Sequence, residues 1–331
     1  MKTPRRVKIA GIGKHQPEGV VTSAALEARL GLAPGWIVEK TGVESRRHTQ
    51  ETQAAMGAAA AKAALQDAGA TLADVGLILG ACGGPQQVIP STAVFFQREL
   101  GPAADGIPSF DVNATCLSFL AALDVAAGYV ASGTHQGVLV IASEKPSVAL
   151  DWTEEESAVL LGDGAAAVFV TAAAEADASA MWPASFTTHS EGAELAEIRG
   201  GGTLHHPNAT GTEPRMNLFH MEGPKIFKLT QKRSVPFIAR YATELPFALG
   251  DLRALVAHQA SLFALRMTAR ACGFTDEQLL VNIGDHGNCM SASIPMVLHD
   301  GVRSGRIRRG DPILLAGTAA GISIGAMAMV Y

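Results

Sequence analysis

Cys116, His258 and Asn288 are three residues of this sequence whose types and settings could do covalent chemistry together. Cys116 closes the strand-like run SFDVNATC and opens an apolar helical stretch, LSFLAALDVAAGYVASG. A thiol at a helix N-terminus meets the positive end of the macrodipole, which favours the nucleophilic thiolate. His258 ends the apolar run ALVA and precedes a helical stretch, and Asn288 ends LLVNIGDHGN and begins another. Each has a plainer reading when taken alone: a packed cysteine, an ordinary histidine, a helix cap. Their shared setting, at strand ends that feed helices, is what makes a candidate centre.

The other reactive side chains lack such a setting. Cys82, Cys272 and Cys289 read as packing residues. His205 and His206 sit in a loop without a carboxylate or cysteine spaced for a metal, and no CxxC pair occurs, so no metal site is expected. Asp285 and His286 lie in a turn near Asn288 and read as supporting or solvent-facing residues.

Bringing distant residues together requires a scaffold, and the chain carries a repeated one. An apolar run from Asp74 to Gly84 is followed by a helical stretch, the strand-like run to Cys116, a second helix and the strand GVLVIAS from Gly137. The C-terminal third repeats that order from Leu252 to Gly317. With Cys82 and His258 as equivalent strand ends, 34 residues lead to Cys116 and 30 to Asn288; a further 21 and 23 lead to Gly137 and Asp311. Two β-α-β-α-β units of matching length predict a duplicated α/β fold with helices covering mostly parallel sheets. Equivalent strand ends then converge, making Cys116 and Asn288 mates across a pseudo-twofold axis. Residues 1–171 form the half with the cysteine, 172–224 a loop-rich excursion (RGGGTLHHPNATGTEP), and 225–331 the half with His258 and Asn288.

Composition narrows the classes. The 331 residues are 48% hydrophobic with 35 Gly and only 5% aromatics, which suits closely packed helices and buried strands. A net charge of −5 provides no overall basic field for nucleic acid. Four cysteines are too few for a disulfide scaffold of this size. The basic N-terminus lacks the apolar core of a secretory signal. Pro312 to Tyr331 is uncharged over a membrane-spanning length, yet its four glycines favour buried strands. A cytoplasmic protein with reduced thiols is expected.

At these residues the sequence resembles the thiolase-fold condensing enzymes, and most of all the β-ketoacyl-acyl carrier protein synthase III group. Seven blocks carry the resemblance: GWIVEKTGV from Gly35, IPST from Ile89, FDVNATCLSF from Phe110, LLGDGAAA from Leu160, MEGPKIFK from Met221, HQAS from His258 and GNCMSASIP from Gly287. The resemblance implies a five-layered α-β-α-β-α architecture of duplicated units. It implies that Cys116 takes an acyl group from a coenzyme A or carrier-protein thioester, splitting one hard step into two. His258 and Asn288 then stabilise the enolate formed when a malonyl group on a carrier protein, or on coenzyme A, loses carbon dioxide. The oxyanion hole is implied at the backbone N–H groups of Cys116 and Ala320, where Ala319-Ala320-Gly321 replaces a usual glycine triplet; an alanine keeps the donor if φ stays negative.

Further roles are implied with it. Trp36 matches a residue that stacks on the adenine of coenzyme A, and Lys40 replaces a usual arginine beside it. Acidic WTEEES stands where a second adenine-clamping arginine is usual, which shifts the expected donor towards a carrier-bound acyl group. Ile89 replaces a phenylalanine that reaches the partner subunit's acyl pocket, leaving room for a primer larger than acetyl. Lys225, Lys228 and Lys232 share a helix face at i, i+3, i+7, and Arg266 and Arg270 form a second stripe, together a docking surface for an acidic carrier protein. Phe263 replaces an arginine usual at that surface. A homodimer without metal or redox cofactor is implied, with no membrane or nucleic-acid partner. The group serves fatty acid synthesis, biotin priming and specialised polyketide metabolism. Alternatives on the same triad are acyl transfer to alcohols or amines and head-to-head acyl condensation. Non-catalytic partner subunits typically lose the nucleophile, which this chain keeps, and a thiolase proper usually has a second catalytic cysteine that it lacks.

Overall fold

A computed structural model describes residues 2–331, and in it each repeated unit builds a sheet. The first holds β1 (Val7–His15), β2 (Leu77–Gly80), β3 (Ser109–Asp111), β4 (Gly137–Glu144) and β5 (Gly164–Ala172), ordered β1-β5-β4-β2-β3. The second holds β6 (Ala180–Met181), β7 (Ser185–Gly192), β8 (Ala254–Ala257), β9 (Pro312–Ala319) and β10 (Gly321–Val330). Its path is β8-β9-β10-β6, and β7 also pairs with β10.

Six main helices complete the layers. α1 (Gln53–Ala68) and α2 (Thr92–Leu100) cover the outer face of the first sheet. α3 (Ser118–Ala131) lies between the sheets, α4 (Gly223–Ala242) and α5 (Leu262–Ala271) cover the outer face of the second, and α6 (Ser293–Arg303) shares the central layer with α3. This is the five-layered α-β-α-β-α arrangement. Its cause is visible locally: α3 reads SFLAALDVAAGYVA, apolar nearly all round, because both sheets flank it. Likewise β4 is buried at every position because helices cover both faces.

Three expectations need correction. The sheets are mixed rather than mostly parallel: β2 runs parallel to β3 and β4, and β8 to β9, but β5 and β10 run antiparallel to their neighbours. The β9–β10 connection is a tight turn, which can join only antiparallel strands. LLVNIGDHGN is not a strand; Leu279 alone bridges to Leu255, and Ile283–His286 is a short helix. Its Gly and Asx residues favour turns over a ladder, and Gly287 takes φ 65. Finally, the 172–224 excursion contains β6 and β7, so only the part beyond Gly192 is loop-rich. β7 alternates half-buried and exposed residues along SFTTHSE, which hid it from a search for buried runs. Pro312–Tyr331 does form buried strands, and among the described residues no helix is long and apolar enough to cross a membrane.

Candidate active site

Cys116 stands on a strained elbow between β3 and α3. The Asn113 Oδ1 accepts the Thr115 N–H at 2.8 Å, and Thr115 takes φ 51, a left-handed conformation costly for a β-branched residue. Ser118 holds the turn from the other side: its Oγ accepts the Ala114 N–H at 2.9 Å and donates to the Thr115 carbonyl at 2.6 Å. The elbow points the half-buried Cys116 sulfur towards its own N–H and the N–H of Ala320. Ala320 keeps a negative φ while Gly321 takes φ 129, so the alanine in the glycine triplet retains its donor.

His258 follows β8, its N–H bonded to the Ala316 carbonyl at 2.9 Å. Its Nδ1 lies 2.5 Å from the Ser293 Oγ, at the start of α6, which leaves Nε2 for a ligand. Gly317 admits the imidazole: a Cβ there would sit 2.8 Å from the His258 Cβ. Asn288 is held by its backbone to Leu160 and Gly162. Its Oδ1 accepts the Met290 N–H at 2.9 Å, so the carboxamide presents its Nδ2, which has no partner among the described residues. Cys116, His258, Asn288 and Ala320 line one cavity of about 1230 Å³.

The electrostatics correct one expectation. Burial, with the nearby Glu144 carboxylate adding to it, pushes the Cys116 thiol up to about 12, against the pull of the Ala320 and Cys116 N–H groups. The resting sulfur is therefore a thiol. The regular helix α3 begins only at Ser118, after a single 3₁₀ turn at Thr115–Leu117, so Cys116 precedes its first turn. Burial also lowers His258 to about 4, opposed by the Met290 carbonyl, so the imidazole is neutral at pH 7. Glu144, at the end of β4, is raised by burial to about 7 although Ser291, Gly83 and Gly84 donate to it.

The pairing of halves also changes. Asn113, Thr115, Cys116 and Ser118 are matched at one constant offset by Asn288, Met290, Ser291 and Ser293. Both asparagines accept the N–H two residues on, Thr115 and Met290 share a left-handed φ, and both serines donate to the carbonyl three residues back. The mate of Cys116 is thus Ser291, and Asn288 pairs with Asn113. Counted from Cys82 and His258, Cys116 lies 34 residues on and Ser291 33, so Ser291 keeps the spacing better than Asn288, which lies 30 on.

Trp36 and Lys40 lie at the mouth of the cavity, on the short helix Trp36–Thr41. The buried Glu27 carboxylate anchors that helix by accepting the Gly35 and Ile37 N–H groups, each at 2.9 Å. Ile89 does not line this chain's own cavity; it is 80% exposed beside Val88, which does. Lys225, Lys228 and Lys232 are all exposed on α4, as are Arg266 and Arg270 on α5. Arg270 is bonded twice to Asp276 and Lys225 pairs with Glu222, so both are partly neutralised for docking. Phe263 is exposed and packs on Phe227 with ring centroids 6.0 Å apart.

Some contributors were not legible in the sequence. The segment Ala196–Gly202, which pairs through Ala196 and Glu197 with His220–Met221, lines the cavity and adds Arg199, as the length of the excursion hinted. Glu144 and Ser293 act through contacts made only in three dimensions. Cys272, expected as packing, lines the cavity. The remaining cysteines are free, and among the described residues no cluster of three or more His, Cys, Asp or Glu could hold a metal.

The chain is similar to known proteins over nearly its whole length. The family described as 3-oxoacyl-[acyl-carrier-protein (ACP)] synthase III matches residues 110–190, and its C-terminal region matches 244–331. A curated β-ketoacyl-[acyl-carrier-protein] synthase III from Aquifex aeolicus is 35% identical, with 98% of this chain and 99% of the relative covered. A crystal structure of 3-oxoacyl-[acyl-carrier-protein] synthase III from Aquifex aeolicus superposes with a TM-score of 0.88 at 32% identity, covering 98% of this chain and all of that one. The priming β-ketosynthase of the R1128 polyketide pathway gives 0.89 at 27% identity, covering 100% and 97%. The protein is therefore an acyltransferase of the condensing type, in fatty acid or polyketide metabolism, and its chain belongs to the β-ketoacyl-acyl carrier protein synthase III family of the thiolase superfamily.

Proposed function

We propose that Cys116 accepts an acyl group from a coenzyme A or carrier-protein thioester and passes it to malonyl-carrier protein by decarboxylative condensation. The Cys116 sulfur attacks the thioester carbonyl, its proton passing through neutral His258 to the departing thiolate. One carbon–sulfur bond forms as another breaks. The developing oxyanion is held by the N–H groups of Cys116 and Ala320. In the second half-reaction the malonyl carbon–carbon bond breaks, carbon dioxide leaves, and the electron pair becomes an enolate. His258 Nε2 and Asn288 Nδ2 receive its oxygen, and the enolate carbon attacks the acyl-Cys116 carbonyl. The Cys116 carbon–sulfur bond then breaks, the β-ketoacyl thioester leaves on the carrier, and the Cys116 thiolate takes up a proton from water.

One observation carries this reading: the amide end of Asn288 and the Nε2 of His258 are left without partners, among the described residues, in the same cavity as a sulfur that faces two backbone donors. The proposed chemistry asks for no metal or redox cofactor. The pathway is fatty acid, biotin-primer or specialised polyketide synthesis. The acidic surface of a carrier protein suits Lys228, Lys232 and Arg266. The exposed tip at Val88 and Ile89, next to the mouth, suits contact with a second copy in a homodimer. Four free cysteines are in keeping with a cytoplasmic location. Intact-mass spectrometry after incubation with acyl-coenzyme A or acyl-carrier protein tests the nucleophile. A single acyl adduct is expected, and Cys116→Ala should lose it; an adduct that survives in the variant overturns the assignment.

A further inference from the structure

The cavity does not end at the sulfur. It passes the carboxyl ends of β8 and β9 and continues between the outer face of the second sheet and the two helices that cover it. On α4 the wall is Thr230, Ser234 and Ile238; on α5 it is Thr268 and Ala269, with Cys272 and Phe274 beyond. Leu255, Ala257 and Ala316 form the sheet side. This lobe exists because the layer meets at small residues. Alanines face threonine and serine where the rest of the interface is filled by larger apolar side chains.

The lining is apolar in effect. The Thr230 hydroxyl donates to carbonyls of its own helix, and the Thr268 hydroxyl accepts from Gln231 at 2.6 Å. The charged residues around the cavity, Lys40, Glu155, Glu156, Glu197 and Arg199, belong to its mouth. Ser234 is 4% exposed, and its hydroxyl has no hydrogen-bond partner. A space with so few polar groups holds water poorly and takes an apolar occupant. From Thr230 to Ile238 the wall runs about 12 Å, long enough for an alkyl chain of roughly ten carbons.

We infer that this lobe receives the alkyl tail of a medium-chain acyl group carried by Cys116, which rests on the reading of Cys116 as the acylated nucleophile. The substrate class is then an acyl thioester of roughly eight to twelve carbons, by the same helix length. Ser234 faces the lobe and bonds to nothing, so replacing it changes space before it changes structure.

The test measures acyl-adduct formation by intact mass with acetyl- and decanoyl-coenzyme A. The decanoyl-to-acetyl rate ratio should fall at least ten-fold in Ser234→Phe and in the milder Ser234→Leu. Ser234→Ala, which keeps the lobe open, should hold the ratio of the unsubstituted protein. An unchanged ratio in the Phe and Leu variants overturns the inference. Binding of a fluorescent polyene fatty acid to Cys116→Ala protein separates the two readings. Decanoate should displace the probe, and Ser234→Phe should weaken it at least ten-fold. Failure of both overturns the lobe even where adducts form, whereas probe binding without adducts under any donor removes the nucleophile and leaves the lobe.

Discussion

Cys116 and Ser291 occupy the same position in the two halves of the fold, each one residue after a left-handed turn and two before the serine that begins the next helix. The halves have diverged in what faces that position. Cys116 meets the Ala320 N–H, whereas Ser291 donates to the Glu144 carboxylate and the Ala81 carbonyl. One position serves chemistry; the other ties the turn before α6 to the first sheet. Ser291→Ala leaves Glu144 short of a donor and should cost about 1–3 kcal/mol of stability. Chemical denaturation measures that loss, while intact mass should still find the acyl group on Cys116.

His258 and Asn288 act together in the second half-reaction, and His258 also relays the proton in the first. Replacing either by alanine should slow malonyl decarboxylation roughly 100- to 1,000-fold. Release of labelled carbon dioxide reads this step directly. The acyl adduct on Cys116 should still accumulate, at the usual rate in Asn288→Ala and more slowly in His258→Ala, and unchanged decarboxylation in both variants would sink their assignment.

Glu144 gives stability a pH slope. Its folded pKa of about 7 lies above the ordinary carboxylate value, so its stabilising protonated form is fully present below pH 4.5 and lost as pH rises towards 7. Relative to Glu144→Gln, the unsubstituted protein should lose about 3 kcal/mol across that window. Melting curves of both proteins at pH 4.5, 6 and 7.5 measure the difference. His258 slopes the opposite way between about 4 and 6.5, but equally in both proteins, so it cancels.

The same substitution removes one of the two causes that raise the Cys116 thiol. Iodoacetamide labelling of Cys116 at pH 8 should be several-fold faster in Glu144→Gln. Labelling that is equal or slower would show that burial alone sets the thiol.

Carrier docking separates free cations from paired ones. Lys228→Glu and Lys232→Glu should raise KM for malonyl-carrier protein roughly ten-fold at low salt, with KM for malonyl-coenzyme A unchanged. Arg270→Ala should have little effect, because Asp276 already holds that guanidinium. Steady-state kinetics with both malonyl donors checks the contrast.

The duplicated architecture and the settings of Cys116 and His258 were legible in the chain, since apolar runs mark buried strands and the junctions that follow them come from local patterning. β7 was not, because one of its faces is polar, and neither was the strand that LLVNIGDHGN fails to form, because its turn residues outweigh its apolar start. A helix dipole can be read from neighbours in the chain, but the burial that pushes the Cys116 thiol up cannot.

Residue order alone thus determined which side chains are able to react and how many residues separate the elements carrying them. Tertiary structure alone decided that Ser291 mirrors Cys116, that Glu144 stands near the sulfur, and that small residues on α4, α5 and the second sheet leave an apolar lobe. The physical reason is range. Propensity and periodicity act over a few neighbours, whereas desolvation, unfilled volume and contacts between halves depend on atoms brought together only when the two sheets close on their shared helices.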